Sequence, residues 1–354
     1  MIRIIEPSLG ECEKKLVLEI LNSQQITRGK WTSLFEKEFG AYLGAEHVFS
    51  VCSGTVALFI ALKALNAKGK RVIVPAMSFM ATIDAVLLAD AEPIVVDIDE
   101  YFTMDVESLE VAVKRYKPHV VIPVHLYGQC ADMESIMTLS ERYGFFVLED
   151  AAQAHGATYM GKKAGTIGHI SAFSFYASKN LPMGEGGAIV TSDPLIAKNI
   201  KKWIDFGDHP AFNVRITEFQ AAIGLCQLRT LEERNLKRRL NAEYYRDSIG
   251  KDFIHPKVRP LSTHSYHLYT LRHHQRDKIV SSLKSAGVDA RVYYPYLLNE
   301  LRNSTHTPLP NAQRFRKEVF SIPVHSELSH SQREFIVNAI LQSVDDLIFS
   351  DARS

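Results

Sequence analysis

The sequence has almost no net charge: 41 lysines and arginines against 40 acidic residues leave +1 over 354 residues. That balance gives no pull toward nucleic acid or an anionic membrane. No helix-turn-helix or basic reading head is visible either. Apolar runs are short, none approaching the roughly 18 residues of a membrane span. The start, Met1-Ile2-Arg3-Ile4-Ile5-Glu6-Pro7, lacks the apolar segment of a signal peptide. Cysteine is scarce: Cys12, Cys52, Cys130 and Cys226 lie far apart, without a CxxC pair. That spacing predicts reduced thiols in a cytoplasmic protein, most of them small core residues. Fourteen histidines form no HExxH or other ligand pattern, so no metal is expected, and His273-His274 reads as surface. A GxGxxG after the first strand is also missing, which argues against a nucleotide-binding Rossmann enzyme. There is no internal repeat and no low-complexity linker.

What is present is alternation. From about residue 48 to 191, short apolar or β-branched runs alternate with amphipathic stretches. The runs are 48–51, 72–75, 93–97, 120–124, 145–150 and 187–191. Continuous apolar strands separated by helices predict an α/β fold with a mainly parallel sheet covered on both faces. Ligands bind at the carboxyl ends of such strands, which directs attention to Ser53, Ser78, His125 and Asp150. Ser33-Leu34-Phe35-Glu36 reads as a capping box for a helix to about Tyr42. Glu218 to about Ile249 reads as one long helix, and its Arg229–Arg239 cluster as a solvated face. From about 250 the rhythm changes to strands near 266–270 and 290–293 and helices at 276–286 and 332–343. The chain is therefore expected to divide into a large domain, 1–235, with an N-terminal helical segment, and a smaller C-terminal α+β domain, 236–354.

Three elements carry chemistry. Lys179 lies between the run Ser171-Ala172-Phe173-Ser174-Phe175 and the glycine-rich turn Gly184-Glu185-Gly186-Gly187. An amine at the edge of a core is desolvated, which lowers its pKa and makes it a nucleophile toward an aldehyde. Asp150 ends an apolar strand, where a carboxylate needs a cationic or donor partner. Ser53-Gly54-Thr55 stands between a strand and a helix, so the helix start offers N–H groups and a positive dipole end to an anion. Amine, carboxylate and phosphate donors are together what pyridoxal 5′-phosphate requires.

On these residues the sequence resembles the DegT/StrS sugar aminotransferases, which are fold-type I pyridoxal phosphate enzymes. The matching segments include Ser53-Gly54-Thr55-Val56-Ala57-Leu58, Pro75-Ala76-Met77-Ser78-Phe79-Met80-Ala81-Thr82 and Val124-His125-Leu126-Tyr127-Gly128. Glu149-Asp150-Ala151-Ala152-Gln153-Ala154-His155-Gly156, the Lys179 segment and Asn213-Val214-Arg215-Ile216-Thr217-Glu218 complete the set. The resemblance implies that Lys179 attaches the cofactor and then carries the proton. It implies that Asp150 pairs with the ring nitrogen, Gln153 lies near the phenolic oxygen, and Phe79 stacks on the ring. It gives the phosphate to Gly54, Thr55 and Ser174, with Asn213 reaching the cofactor of the neighbouring subunit in a homodimer that shares its active sites. It also implies glutamate as amino donor and a nucleotide-linked keto-sugar as acceptor, with no nucleic acid or membrane partner. Arg215 is read as an ion-pair partner of Glu218.

The chain departs from the family pattern twice. The loop Phe206–Asn213 is short, and Tyr294-Pro295-Tyr296-Leu297-Leu298 replaces a proline-aliphatic-histidine sequence. Both regions, with the turn Thr27-Arg28-Gly29-Lys30, are expected to border the sugar or its nucleotide. Two alternatives stay open: a dehydratase or lyase on the same fold, which Lys179 disfavours, and a non-catalytic regulator.

Overall fold

The structure is a computed structural model that describes residues 1–207 and 210–351, with side chains described to residue 344. Helices α1 (Glu11–Ser23) and α2 (Lys30–Leu43) lead into strand β1 (His47–Val51) and helix α3 (Gly54–Ala64). There follow β2 (Arg71–Pro75), α4 (Ala81–Leu88), β3 (Glu92–Val96), α5 (Val106–Tyr116), β4 (Val120–Val121), α6 (Met133–Tyr143) and β5 (Phe146–Asp150). A small ribbon, β6 (Thr158–Tyr159) and β7 (Lys162–Lys163), precedes β8 (Ile170–Ser174) and β9 (Gly187–Thr191). Helices α7 (Pro194–Ile204), α8 (Glu218–Arg229) and α9 (Leu231–Ser248) then lead to β10 (Ser262–Thr263), β11 (Tyr269–Arg272) and α10 (Arg276–Ser285). The chain closes with α11 (Leu298–Arg302), β12 (Thr305–His306), α12 (Pro310–Glu318), β13 (Val319–Ile322) and α13 (His330–Asp351).

The eight-stranded sheet has the order β1-β9-β8-β5-β4-β2-β3-β12. Only β9 runs against the rest, pairing antiparallel with both β1 and β8. The expected α/β sheet is thus present, and its central strands carry continuous apolar runs for a visible reason. Val72, Val74, Val95 and Val120 enter one core cluster, while Ile73, Ile94, Val96 and Val121 enter another on the opposite face. Successive side chains of a strand point to opposite faces, so each strand serves two buried layers. Helices α5, α6 and α7 start where Asp105, Asp132 and Asp193 accept from Ser108, Ser135 and Leu195 N–H groups.

A third cluster (Ala242, Tyr245, Tyr269, Leu271, Ile279, Phe320, Ile340 among others) forms the core around β11, β13, α10 and α13. Residues 297–319 return from it to the large sheet. There Leu297, Leu298, Leu309, Ala312 and Phe315 join the main core and β12 pairs parallel with β3. The start of the chain runs the other way: Ile2 N–H donates to the Gly287 carbonyl at 2.7 Å, and Asp289 N–H donates to that of Ile2 at 2.9 Å.

Five local expectations are corrected. Helix α2 starts at Lys30, and Ser33 does not cap it; the Glu218 carboxylate accepts from Trp31 N–H at 2.8 Å and Thr32 N–H at 3.2 Å. A Cβ on Gly29 would stand 2.5 Å from Glu218 Oε2, so any other residue there would have to push that carboxylate aside. Glu218 is therefore spent on α2. Arg215 does not pair with it and instead lies over the Phe206 ring at 4.9 Å. The long helix breaks at Thr230 into α8 and α9. Two arginines of the supposed solvated face are buried, at 8% exposure for Arg234 and 7% for Arg238. Arg234 donates to the Gln227 carbonyl at 2.6 Å and Arg238 to that of Tyr266 at 3.2 Å. Burial pushes the Arg238 guanidinium down to about 9. Finally, Cys12 and Cys226 form a disulfide between α1 and α8, with Cα atoms 5.9 Å apart, leaving Cys52 and Cys130 as the free thiols. The reduced-thiol argument for a cytoplasmic setting falls with that pair. A cross-link spanning 214 residues removes on the order of 5 kcal/mol of chain entropy from the unfolded state. Among the described residues no helix is long and apolar enough to cross a membrane.

Candidate active site

At the carboxyl edge of the sheet, β1, β2, β5 and β8 end around one cavity of about 770 Å³. Its lining includes Ser53, Gly54, Thr55, Phe79, Asp150, Gln153, Ser174 and Lys179, which the sequence had separated by up to 126 positions. The fold therefore brings together every expected site residue except Asn213. That residue is exposed and accepts from Arg215 at 3.3 Å. Within its loop, Asp208 and His209 lie outside the described residues.

Lys179 follows β8 in a turn, its N–H donating to the Tyr176 carbonyl at 2.8 Å. Burial pushes its amine down to about 8, with the Asp150 carboxylate opposing the shift. Asp150 closes β5 and is raised above the usual carboxylate range by its own burial. The Thr82 hydroxyl donates to its Oδ2 at 2.8 Å and Ala152 N–H to its Oδ1 at 3.2 Å, and both favour the charged form. A carboxylate held by donors and an amine held away from water thus face one space.

Two more buried groups flank the lysine. His155 is pushed down to about 3, chiefly by burial and then by the Lys179 charge. His267 is held well below its ordinary value for the same reasons, and its Nδ1 meets Asn180 Oδ1 at 3.3 Å. Both imidazoles are held in the neutral form, so neither sets a second positive charge beside the Lys179 amine.

The anion cradle is built from close approach. Helix α3 begins at Gly54, so its first N–H groups lack intrahelical acceptors. Ser53 caps Val56 N–H at 3.2 Å. A Cβ on Gly54 would stand 2.7 Å from that of Ser174, so glycine lets the helix start and the end of β8 meet. Opposite, Gln153 is fixed at both ends: its Oε1 accepts from Tyr127 N–H, and its Nε2 donates to the Tyr294 hydroxyl, each at 2.9 Å. Phe79 stays 49% exposed on the wall, its ring centroid 6.2 Å from that of Tyr294. Phe79 and Asp150 thus offer an exposed ring face and a carboxylate to the same cavity.

Several wall residues escape sequence reading. Tyr294 and Tyr296 line the cavity, in the segment expected to border the sugar, and Tyr293 joins them. The Thr27–Lys30 turn does not. Lys30 pairs with Glu19 at 2.6 Å, and Arg28 lines a separate groove with Lys201, Asp205 and Arg215. Ile5 and Pro7, Arg291 and His267 enter the wall through tertiary contacts with no local signature. His267 lies in a segment expected to be a strand, whereas β11 begins at Tyr269.

The comparisons agree with this geometry. The sequence profile of the DegT/DnrJ/EryC1/StrS aminotransferase family matches residues 7–341. A pleiotropic regulatory protein of Geobacillus stearothermophilus is 35% identical, with 92% of each chain covered. The dTDP-3-amino-3,4,6-trideoxy-alpha-D-glucose transaminase of Streptomyces venezuelae is also 35% identical, covering 92% of this chain and 90% of that one. Among solved structures, NtdA from Bacillus subtilis, with the cofactor PMP bound, superposes with a TM-score of 0.86 at 28% identity. That match covers 95% of this chain and 82% of the other.

Proposed function

The chain belongs to the DegT/DnrJ/EryC1/StrS aminotransferase family of pyridoxal phosphate-dependent, fold-type I sugar aminotransferases, and from that premise we propose that it moves an amino group from glutamate to a nucleotide-linked keto-sugar. The observation that carries this reading is the partly buried Lys179 amine, its pKa lowered by desolvation, sharing one large cavity with the donor-held Asp150 carboxylate. The residues present fit the cofactor. Gly54, Thr55 and Ser174 would hold its phosphate at the start of α3, Phe79 would cover its ring, and Asp150 would meet its ring nitrogen. Gln153 has a second amide N–H to offer its phenolic oxygen, since the first is taken by Tyr294. When bound, that cofactor supplies an electron-accepting ring and a carbonyl that exchanges its oxygen for an amine.

The chain does the rest. Lys179 anchors the cofactor and, once freed by the incoming amine, takes and returns one proton at its Nζ in each half of the exchange. Its lowered pKa keeps a large neutral fraction near pH 8, which both tasks need. The tyrosine wall presents apolar ring faces and hydroxyls, a surface suited to a sugar. Relatives such as the Streptomyces venezuelae transaminase support a nucleotide-linked acceptor. The regulatory name of the Geobacillus relative is no obstacle, because Lys179 and Asp150 are both in place here.

The direct test supplies cofactor-loaded protein with ¹⁵N-glutamate and a panel of nucleotide-linked keto-sugars, read by mass spectrometry. The label is expected in the sugar product. Transfer to no sugar, with an unlabelled dehydrated product instead, would favour the dehydratase.

The reading includes a homodimer. Asn213 is exposed and outside its own chain's cavity, so a role at a cofactor phosphate requires a second copy. Asn213→Asp sets a carboxylate against that phosphate and should inactivate the enzyme, as should Lys179→Ala. Mixing the two variants with subunit exchange should restore about a quarter of wild-type activity, since half the dimers are mixed and each has one intact site. Recovery of none would place Asn213 outside the shared site.

A further inference from the structure

Asp150 is held by more than a single neighbour. Thr82, at the start of α4 and 1% exposed, donates its hydroxyl to Asp150 Oδ2 at 2.8 Å. Its Oγ1 also lies 2.8 Å from the hydroxyl of Ser78, which is 2% exposed in the loop after β2. A hydroxyl has one proton to give. Because Thr82 gives its proton to the carboxylate, the proton shared with Ser78 must be Ser78's. The chain therefore runs in one direction, Ser78 to Thr82 to Asp150, and ends on the only member that can carry charge.

We propose that Thr82 and Ser78 are positioning residues, a two-hydroxyl donor chain that fixes the orientation of the Asp150 carboxylate and holds it ionised toward the cavity. Each hydroxyl polarises the next, so the terminal bond is stronger than an isolated threonine bond. The second carboxylate oxygen is fixed by Ala152 N–H at 3.2 Å, which leaves the carboxylate one orientation. The backbone adds a further constraint, since His125 N–H donates to the Asp150 carbonyl at 3.0 Å and Asp150 N–H to that of Pro123 at 2.9 Å.

The charged and titratable groups facing Asp150 are Lys179 after β8, His125 after β4 and Tyr294 on the opposite wall. Lys179 and His125 act on it through their fields, while the Tyr294 hydroxyl is raised chiefly by its burial and in small part by the carboxylate's charge. His125 is committed elsewhere. Its Nε2 meets Glu149 Oε2 at 2.7 Å and its Nδ1 accepts from Ala131 N–H at 3.1 Å. Thr82 thus supplies the side-chain hydrogen bond to Asp150, and burial would otherwise drive that carboxyl toward its neutral form. The donor chain itself is visible without any cofactor. Its catalytic consequence rests on the cofactor reading given above.

The test uses the apo-protein and the cofactor-loaded protein side by side. In the apo-protein, carboxyl titration is followed by infrared difference spectroscopy, with the Asp150 band identified by its loss in Asp150→Asn. Thr82→Val keeps the side-chain shape and removes the donor, and should raise the Asp150 midpoint by about one pH unit. Ser78→Ala should raise it by less, and Thr82→Ser should restore the wild-type midpoint. In the loaded protein, the pH midpoint of the cofactor's absorbance should fall in Thr82→Val, with kcat down about tenfold and KM for glutamate little changed. An unmoved apo midpoint in Thr82→Val overturns the proposal, as does a folded Thr82→Ser that fails to restore it. If Thr82→Val does not fold, Ser78→Ala decides: a raised midpoint supports the chain and an unchanged one removes it. Failure of the wild-type protein to take up the cofactor would refute the functional reading and leave the apo titration to judge the donor chain.

Discussion

Lys179→Ala is expected to abolish amino transfer and leave the fold intact. The side chain it removes is partly buried and carries a charge that its surroundings disfavour, while Thr82 and Ala152 still donate to the Asp150 carboxylate it leaves behind. The chemistry of the lysine is not replaceable. Losing the anchoring amine and the proton carrier together should lower kcat by roughly 10⁴-fold or more. Borohydride treatment followed by peptide mass mapping gives the direct reading. In the wild type the peptide carrying Lys179 gains the cofactor's mass, and in the variant no peptide does. Covalent loading of the wild-type apo-protein should also accelerate as pH rises through about 8, because the neutral amine is the nucleophile and its fraction grows above the pKa. Attachment at any other lysine, or a rate flat across that range, would contradict the role.

Asp150→Asn separates the charge of that carboxylate from its shape. The amide fits the same space, and the hydroxyl chain can reverse, with Thr82 accepting from the new amide and donating to Ser78. The fold should therefore survive, with a thermal midpoint equal to or above the wild type, since a desolvated carboxylate has been removed. Activity should not survive. With no anion opposite the ring nitrogen, kcat is expected to fall on the order of 10³-fold, about 4 kcal/mol of transition-state stabilisation. Cofactor uptake at Lys179 should persist, measured by the same borohydride trapping. A variant that retains most of its activity would show that Asp150 is a structural residue only.

Much of this could be read from the sequence because the informative pieces are local. Strand runs such as Val72–Pro75 and Phe146–Leu148 are apolar at every position, as burial on two faces demands. Lys179, Asp150 and Ser53-Gly54-Thr55 each sit at a strand end, where topology rather than long-range packing decides their exposure. What could not be read is non-local. Glu218 caps a helix that starts 188 positions earlier, at Lys30, while the local pattern at Ser33 offers a plausible cap that the chain does not use. Arg234 and Arg238 sit in a run of charges typical of a solvated face, and are buried because the segments around Gln227 and Tyr266 supply carbonyls to them. The Cys12–Cys226 pair and the wall contacts of Ile5 and Pro7 follow from where α1 and the strap before it are laid down. No spacing in the sequence announces that.

The return of residues 297–319 to the large sheet has a mechanical consequence. The chain crosses between the two cores at its beginning, near α9, and twice more around β12, so a single cut near residue 235 would not release two complete units. A fragment ending there would expose the edge of β3 where β12 now pairs, and the apolar positions that Leu297, Leu298, Leu309 and Phe315 cover. An open edge beside uncovered aliphatic surface is a template for association with other chains. Such a fragment should collect in aggregates, whereas nicking the intact protein at the same point should leave both pieces bound together.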